Sequence, residues 1–431
     1  MIQKAGSGSV KRIRSCRKFV FLLCGIFSSL LFLSEEGSAL PVFARKYHTS
    51  CSTCHLAFPV RNGFGEAFRN NGYRFPGGTD EEMVKEEPIT LGQDAYKKVF
   101  PNAIWPSDMP NMPSLGFLAK VRIYMPEDDG NFKETKFAED LETFFAGTIT
   151  DQITYFGDFA INQDGVEWGK LNLLWAFRPG LNLVLGEVGF TEKMTLIAAR
   201  PGWKRDGYAA TMPTPSRGVE LRFAGNTGES GGYSLAAGIG KNSTENAEDA
   251  GNFTDSRFIR GTWKIGGNGL LSGVGGTLGN NAIGMDNAVT FGVNYFNSSN
   301  GTAVASQENL EGLAKTGYSA DVEATYGSLR MLAQYARLNE VLDDGIDHGK
   351  RDAISLEGDY WIYPWLFGVI RYEYLKDDYN GKVTKIIPGI AALLRPNAKI
   401  GLEYVSVNKD ALAELNSEAK SSIAFFAQVG F

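Results

Sequence analysis

The chain has 431 residues, with 43 lysines and arginines against 49 aspartates and glutamates, a formal net charge of −6. This acidic balance deepens once the basic amino-terminal segment is removed, which excludes nucleic acid as a partner. Glycine is abundant at 51 residues and aromatics reach 12%, while 4 cysteines and 3 histidines leave little for disulfides or multi-histidine metal centres.

The first elements are those of an export signal. Lys11, Arg12, Arg14, Arg17 and Lys18 form a basic start, and the apolar run Phe19 to Leu33 follows. That run is about 15 residues, short of the roughly 20 a membrane-spanning helix needs. Ser34 to Ala39 is polar, with Gly37 and Ala39 at the −3 and −1 positions of a cleavage site. The expectation is a signal peptide over residues 1–39. Cys16 and Cys24 leave with it, and Leu22-Leu23 before Cys24 makes a poor lipobox. The exported chain then keeps only Cys51 and Cys54, so structural disulfides to any third cysteine are excluded.

These two cysteines stand in Cys51-Ser52-Thr53-Cys54-His55. Thiols at i and i+3 project from one turn of helix, where they can add to the two vinyl groups of a haem. The adjacent histidine reaches the iron from the proximal side. A zinc site would need further ligands, for which only His48 and His348 are at hand. A thioredoxin-like pair would sit at a βα junction, and none follows. The expected cofactor is one covalent haem c, bound by Cys51, Cys54 and His55.

Residues 40–113 read as a small α-helical haem domain with a linker or plug. A short helix is expected within Val60 to Asn71, stopped at Gly72. Phe64 and Phe68 share its face at i and i+4 and can pack on one flat apolar surface. Residues 76–113 are rich in Pro, Gly, Asp and Glu and read as irregular. The sixth iron ligand is expected at Met112, which precedes Pro113. Met109, before Pro110, is the alternative, ahead of His48 and Met83; thioether ligation would raise the potential.

From Ser114 the pattern alternates with period two. Leu171, Leu173, Trp175 and Phe177 share one face against Lys170, Asn172 and Arg178. Val289/Phe291/Val293/Tyr295, Ala320/Val322/Ala324/Tyr326 and Ile354/Leu356/Gly358/Tyr360 repeat the scheme, the last against Ser355, Glu357 and Asp359. Such segments fit the strands of an outer-membrane barrel, and a soluble β-sandwich alternates too. The final segment, Ile423, Phe425, Ala427, Val429 and Phe431 on one face, resembles the terminal strand by which bacterial outer-membrane proteins are assembled. It favours the barrel, to be inserted by the barrel assembly machinery into outer-membrane lipid.

Short turns are expected at Arg178-Pro179-Gly180, Tyr326-Gly327-Ser328, Tyr363-Pro364-Trp365 and Arg395-Pro396-Asn397. Long outer loops are expected near 191–216, 242–256, 298–316, 339–351 and 406–419. The fold class is therefore mainly β, an antiparallel barrel over residues 114–431 with about sixteen strands, eighteen being the other even count. The alternation of short and long connections breaks once, around Gly269 to Asn287. The loop from Asn339 to Arg351 carries Asp343, Asp344, Asp347 and His348, a donor set suited to iron(II).

Phe43-Ala44-Arg45, the C-x-x-C-H string, Phe58-Pro59, Asn62, Phe64-Gly65, Phe68 and Gly72-Tyr73 resemble the fused cytochrome-porins of iron-oxidising bacteria. In that family a single c-type haem domain precedes and plugs an outer-membrane barrel. Arg61 departs from the family pattern, which has an apolar residue there. The resemblance implies localisation in the outer membrane of a Gram-negative bacterium, with the haem in the lumen or on the periplasmic side. It implies electron transfer between an extracellular metal ion, iron(II) foremost, and a periplasmic carrier such as a c-type cytochrome. Two other functions fit the residues: a solute porin with a structural or sensory haem, and a soluble periplasmic cytochrome with a β-rich domain.

Overall fold

The computed structural model describes residues 42–76, 83, 89–90, 108–109, 114–128, 131–132, 135–149, 152–162, 165–188, 217–241, 254–273, 278–280, 282–303, 313–341, 347–378, 381–416 and 420–430. These all lie within one compact unit, Leu40–Phe431.

Alternating side chains and tight turns give long antiparallel strands, because each strand can place its apolar set on one face. The first is β5 (Ser114–Asp128), after two dipeptide strands, β3 (Ile89–Thr90) and β4 (Asp108–Met109), which pair with each other. Then come β6 (Asn131–Phe132), β7 (Lys136–Thr148), β8 (Ile153–Asn162), β9 (Gly165–Arg178), β10 (Leu181–Gly186), β11 (Gly218–Asn226), β12 (Ser230–Gly240) and β13 (Ser256–Asn268). After a small ribbon of β14 (Leu278–Asn280) and β15 (Met285–Asp286) come β16 (Ala288–Ala303), β17 (Leu313–Tyr326), β18 (Leu329–Val341) and β19 (Asp347–Tyr363). The last four are β20 (Leu366–Asp377), β21 (Gly381–Arg395), β22 (Ala398–Lys409) and β23 (Ser422–Gly430).

Every barrel strand pairs with its sequence neighbours, and β23 pairs with β5 in the register Ala424↔Tyr124, so the sheet closes on itself. The result is a closed antiparallel barrel of sixteen strands, β6 being a short extension of the β5–β7 hairpin. No helix among the described residues is long and apolar enough to cross a membrane; crossing falls to the strands.

The expected faces point as the alternation requires. Leu171 is 48% exposed, Val293 62% and Tyr360 57%, all on the outside. Ser355, Glu357 and Asp359 are buried inside. An apolar belt outside a closed sheet, with polar groups within, is the inverse of a soluble protein and suits a bilayer. Trp175, Phe177, Tyr326, Tyr363 and Trp365 are exposed beside the short turns at one rim, as an aromatic girdle would be.

The four expected short turns are present, two of them using left-handed glycines, Gly180 and Gly327. Two expected long loops are mostly strand instead. β16 runs on to Ala303, and Asn339, Glu340 and Val341 pair with Lys350, Gly349 and Asp347. Their polar side chains imitate a loop because these ends extend beyond the apolar belt. Asp343 and Asp344 lie outside the described residues, as do Phe431 and the segment 191–216. The connection after β22 contains a one-and-a-half-turn helix, α3 (Ala411–Asn416).

The break in turn alternation at Gly269 to Asn287 comes from the β14–β15 ribbon, which contributes no barrel strand. Ile283 and Met285 from this connection are buried in one apolar cluster with Leu56, Ala57 and Val60 of the amino-terminal segment. Trp361, Phe367, Ala424 and Phe426 of the inner wall complete that cluster. The segment 42–76 thus packs against the inner wall as a plug, near the short turns.

Candidate functional site

The plug consists of α1 (Val42–Lys46), a 3₁₀ turn (Cys51–Thr53), β1 (His55–Ala57), β2 (Val60–Arg61) and α2 (Gly63–Asn70). The C-x-x-C-H string occupies the 3₁₀ turn and the start of β1, rather than the α-helical turn its spacing suggests. Helix here is confined to two short elements. The cysteines are not joined to each other, and both are half-buried.

Asn62 holds this turn in place. Its Oδ1 accepts from the Gly65 amide at 2.9 Å, capping α2. Its Nδ2 donates to the carbonyls of Ser52 and Thr53, both at 3.1 Å, and its backbone amide donates to the Cys54 carbonyl at 2.9 Å. Gly65 packs so close that a Cβ there would lie 2.1 Å from the Cys54 carbonyl oxygen. One asparagine and one glycine therefore dock the cysteine turn on the helix.

Burial pushes the Cys51 thiol up and the Cys54 thiol up to about 12, the latter reinforced by the Cys51 charge. Burial and then the Arg61 charge push His55 down to about 4, against the backbone of Pro59 and Val60. The imidazole is therefore neutral at neutral pH, the form that ligates a metal. His55 Nδ1 is buried and lacks a hydrogen bond of normal geometry. Two unpaired thiols flanking one turn, with a neutral imidazole next in line, fit a covalently tethered haem.

The distal side is less defined. His48 is exposed, with a left-handed φ of 47°, and Met83 is 37% exposed. Met109 pairs with Ile89 through the β3–β4 ribbon, and Met112 lies outside the described residues. No group of three or more His, Cys, Asp or Glu side chains able to hold a metal ion occurs among the described residues. His348 is the second residue of β19.

Phe64 and Phe68 pack on protein rings. Phe68 lies 5.2 Å from Phe43 and 5.7 Å from Tyr47, and Phe64 lies 5.1 Å from Phe75. Rings also tie plug to wall: Phe58 meets Phe144 at 6.5 Å, and Tyr73 stacks between Phe43 at 5.3 Å and Phe156 at 5.8 Å. Lys399 Nζ donates to the Phe58 carbonyl at 2.6 Å, and Asn70 and Asn71 donate to the carbonyls of Leu270 and Leu271. These anchors have no sequence signature except the asparagines' capacity to bond backbone.

The wall facing the plug is a network of ion pairs. Arg330 reaches Glu323 at 2.6 Å, Asp359 at 2.6 Å and Glu357 at 3.2 Å. Arg371 reaches Glu373 at 2.8 Å and Glu357 at 3.1 Å. Between plug and wall lies an open cavity, bordered by Arg61, Arg69, Arg222 and Glu220 among others.

Neither a protein-family model nor a curated protein matches the chain. Among solved structures it is similar to an anion-selective porin from Comamonas acidovorans, 11% identical, with a TM-score of 0.51 over 74% of this chain and 98% of that one. Salmonella typhi OmpF in complex with daunomycin is 14% identical, with a TM-score of 0.49 over 74% and 97%. The outer membrane channel DcaP of Acinetobacter baumannii is 14% identical, with a TM-score of 0.46 over 74% and 96%. The closed sixteen-strand sheet and the likeness to the Comamonas porin give the chain a porin-like β-barrel fold.

Proposed function

We propose that the chain transfers electrons across the outer membrane through one haem c held by Cys51, Cys54 and His55 within the barrel. The observation that carries this reading is the C-x-x-C-H turn held by Asn62 next to Leu56, Ala57 and Val60, which pack on the inner wall of a membrane-spanning sheet. The Cys51 and Cys54 sulfurs would tether the group, and the neutral His55 imidazole would ligate its iron. Bound there, it supplies a one-electron centre within the low-dielectric slab that otherwise insulates the two compartments. Resemblance to the fused cytochrome-porins favours an extracellular metal ion, iron(II), as donor and a periplasmic c-type cytochrome as acceptor.

The test is reconstitution of the haem-loaded protein in vesicles enclosing an oxidised soluble cytochrome c, with iron(II) added outside. Reduction of the enclosed cytochrome is expected, and is lost in C51A/C54A. No reduction by fully haem-loaded protein inserted in the correct orientation overturns the reading.

A second reading, a solute porin, is favoured by the porin-like fold and by the open cavity beside the plug. Ion conductance of the wild type in planar bilayers, without electron exchange, would establish it instead.

A further inference from the structure

Within the cavity between plug and wall, two plug arginines, Arg61 and Arg69, face Arg222 of β11. Arg61 engages Glu66 through Nε at 2.9 Å, and Arg222 engages Glu220 through Nε at 2.5 Å and Nη2 at 3.0 Å. The other cations bordering the cavity have their own carboxylates: Arg260 with Asp321 at 2.7 Å, Lys264 with Asp286 at 2.9 Å, and Arg330 with Glu323 at 2.6 Å. Arg61, Arg69 and Arg222 border the same cavity, with Glu66 and Glu220 beside them.

Two neighbouring side chains of the plug, acting on each other, feel that field. Arg69 is held down to about 10 by burial and by the charges of Arg222 and Arg61. The Tyr73 phenol is lowered by Arg69, Arg222 and Arg61, which outweigh its burial. A site that discourages a further cation and welcomes a phenolate also welcomes an oxyanion. Guanidinium forks match carboxylate and phosphate oxygens bidentately.

We propose that Arg61, Arg69 and Arg222 form a binding site for an oxyanion of the carboxylate or phosphate class, bridging plug and wall. The anion has two sources. One is the pair of propionates of the haem in the function proposed above, since Arg61 also acts electrostatically on Cys54 and His55. The other is a diffusible anion drawn into the lumen, which does not depend on haem.

The probe is radiolabelled inorganic phosphate in equilibrium dialysis at low ionic strength. Haem-loaded wild type, C51A/C54A, and C51A/C54A carrying R69Q, R69K or R395Q are compared, and each is checked for the heat-modifiable folded form. One saturable phosphate per chain is expected in C51A/C54A. It weakens about tenfold or more in R69Q through loss of one charge-assisted hydrogen bond. R69K recovers part of the affinity, and R395Q, an exposed rim arginine, leaves it unchanged. Binding in both haem-loaded and haem-free protein identifies a diffusible anion; binding in the haem-free protein alone identifies the propionates as occupants. If wild type carries no haem, its own phosphate binding tests the site directly. Absence of saturable binding in every form, or equal binding in R69Q and R395Q, overturns the proposal.

Discussion

Replacing Asn62 by alanine removes three side-chain hydrogen bonds: the α2 cap to Gly65 and the two bonds to the Ser52 and Thr53 carbonyls. A lost N-cap costs about 1 kcal/mol, and each neutral bond about 0.5–1.5 kcal/mol. With partial compensation by water, the local opening of the cysteine turn becomes easier by about 2–3 kcal/mol, or roughly 30- to 150-fold in its equilibrium. Hydrogen exchange of haem-free protein reads this directly, because the amides of Thr53, Cys54 and Asn62 are bonded within or onto the turn. N62A should accelerate both these amides and those at the start of α2. N62D keeps an acceptor for the Gly65 amide but sets a carboxylate against two carbonyls, so it should free the turn while sparing the helix. Exchange within about threefold of wild type in both variants would refute the view that Asn62 docks the turn.

Three further outcomes follow from the same geometry. C51A or C54A alone should reduce covalent haem and the double variant abolish it, as read by haem staining on a denaturing gel; full staining of the double variant would count against the assignment. Arg330→Met leaves Glu323, Glu357 and Asp359 facing one another in a buried wall. It should lower barrel stability by about 3–5 kcal/mol, measured as the temperature at which heat modifiability is lost, and an unchanged temperature would mean these carboxylates are solvated. Val293, 62% exposed on the outer face at mid-strand, should tolerate Leu, whereas Val293→Lys should cost about 2–4 kcal/mol of insertion. Equal folding yields into bilayers would place that face away from lipid.

The barrel was legible because period two is a strict geometric rule. Leu171, Val293 and Tyr360 had only one face to share, and Glu357 and Asp359 had to take the other. Loop limits were not legible where strands leave the bilayer. There Asn339 and Lys350 pair as strand while carrying the side chains of a loop. The spacing of the cysteine-histidine string suggests a haem, but the surroundings of the turn depend on contacts without local pattern. Lys399 and Phe58 are 341 positions apart, and no property of either residue predicts their hydrogen bond. Phe64 and Phe68 show the same limit from the other side: their i, i+4 spacing fixed that they share a face, while their partners turned out to be Phe43, Tyr47 and Phe75.

The seam between β23 and β5 has a bearing on the order of assembly. β5 is the first barrel strand after the plug in the chain, and its edge stays open until the last strand pairs with it. Closing that seam seals the cysteine turn within a wall of sixteen strands, behind anchors at Phe58, Asn70 and Asn71. If the proposed haem is joined to Cys51 and Cys54, its attachment would therefore have to precede the closing of that seam. A barrel closed around bare thiols would be a dead end, and the balance between the two rates would set how many copies carry a redox centre.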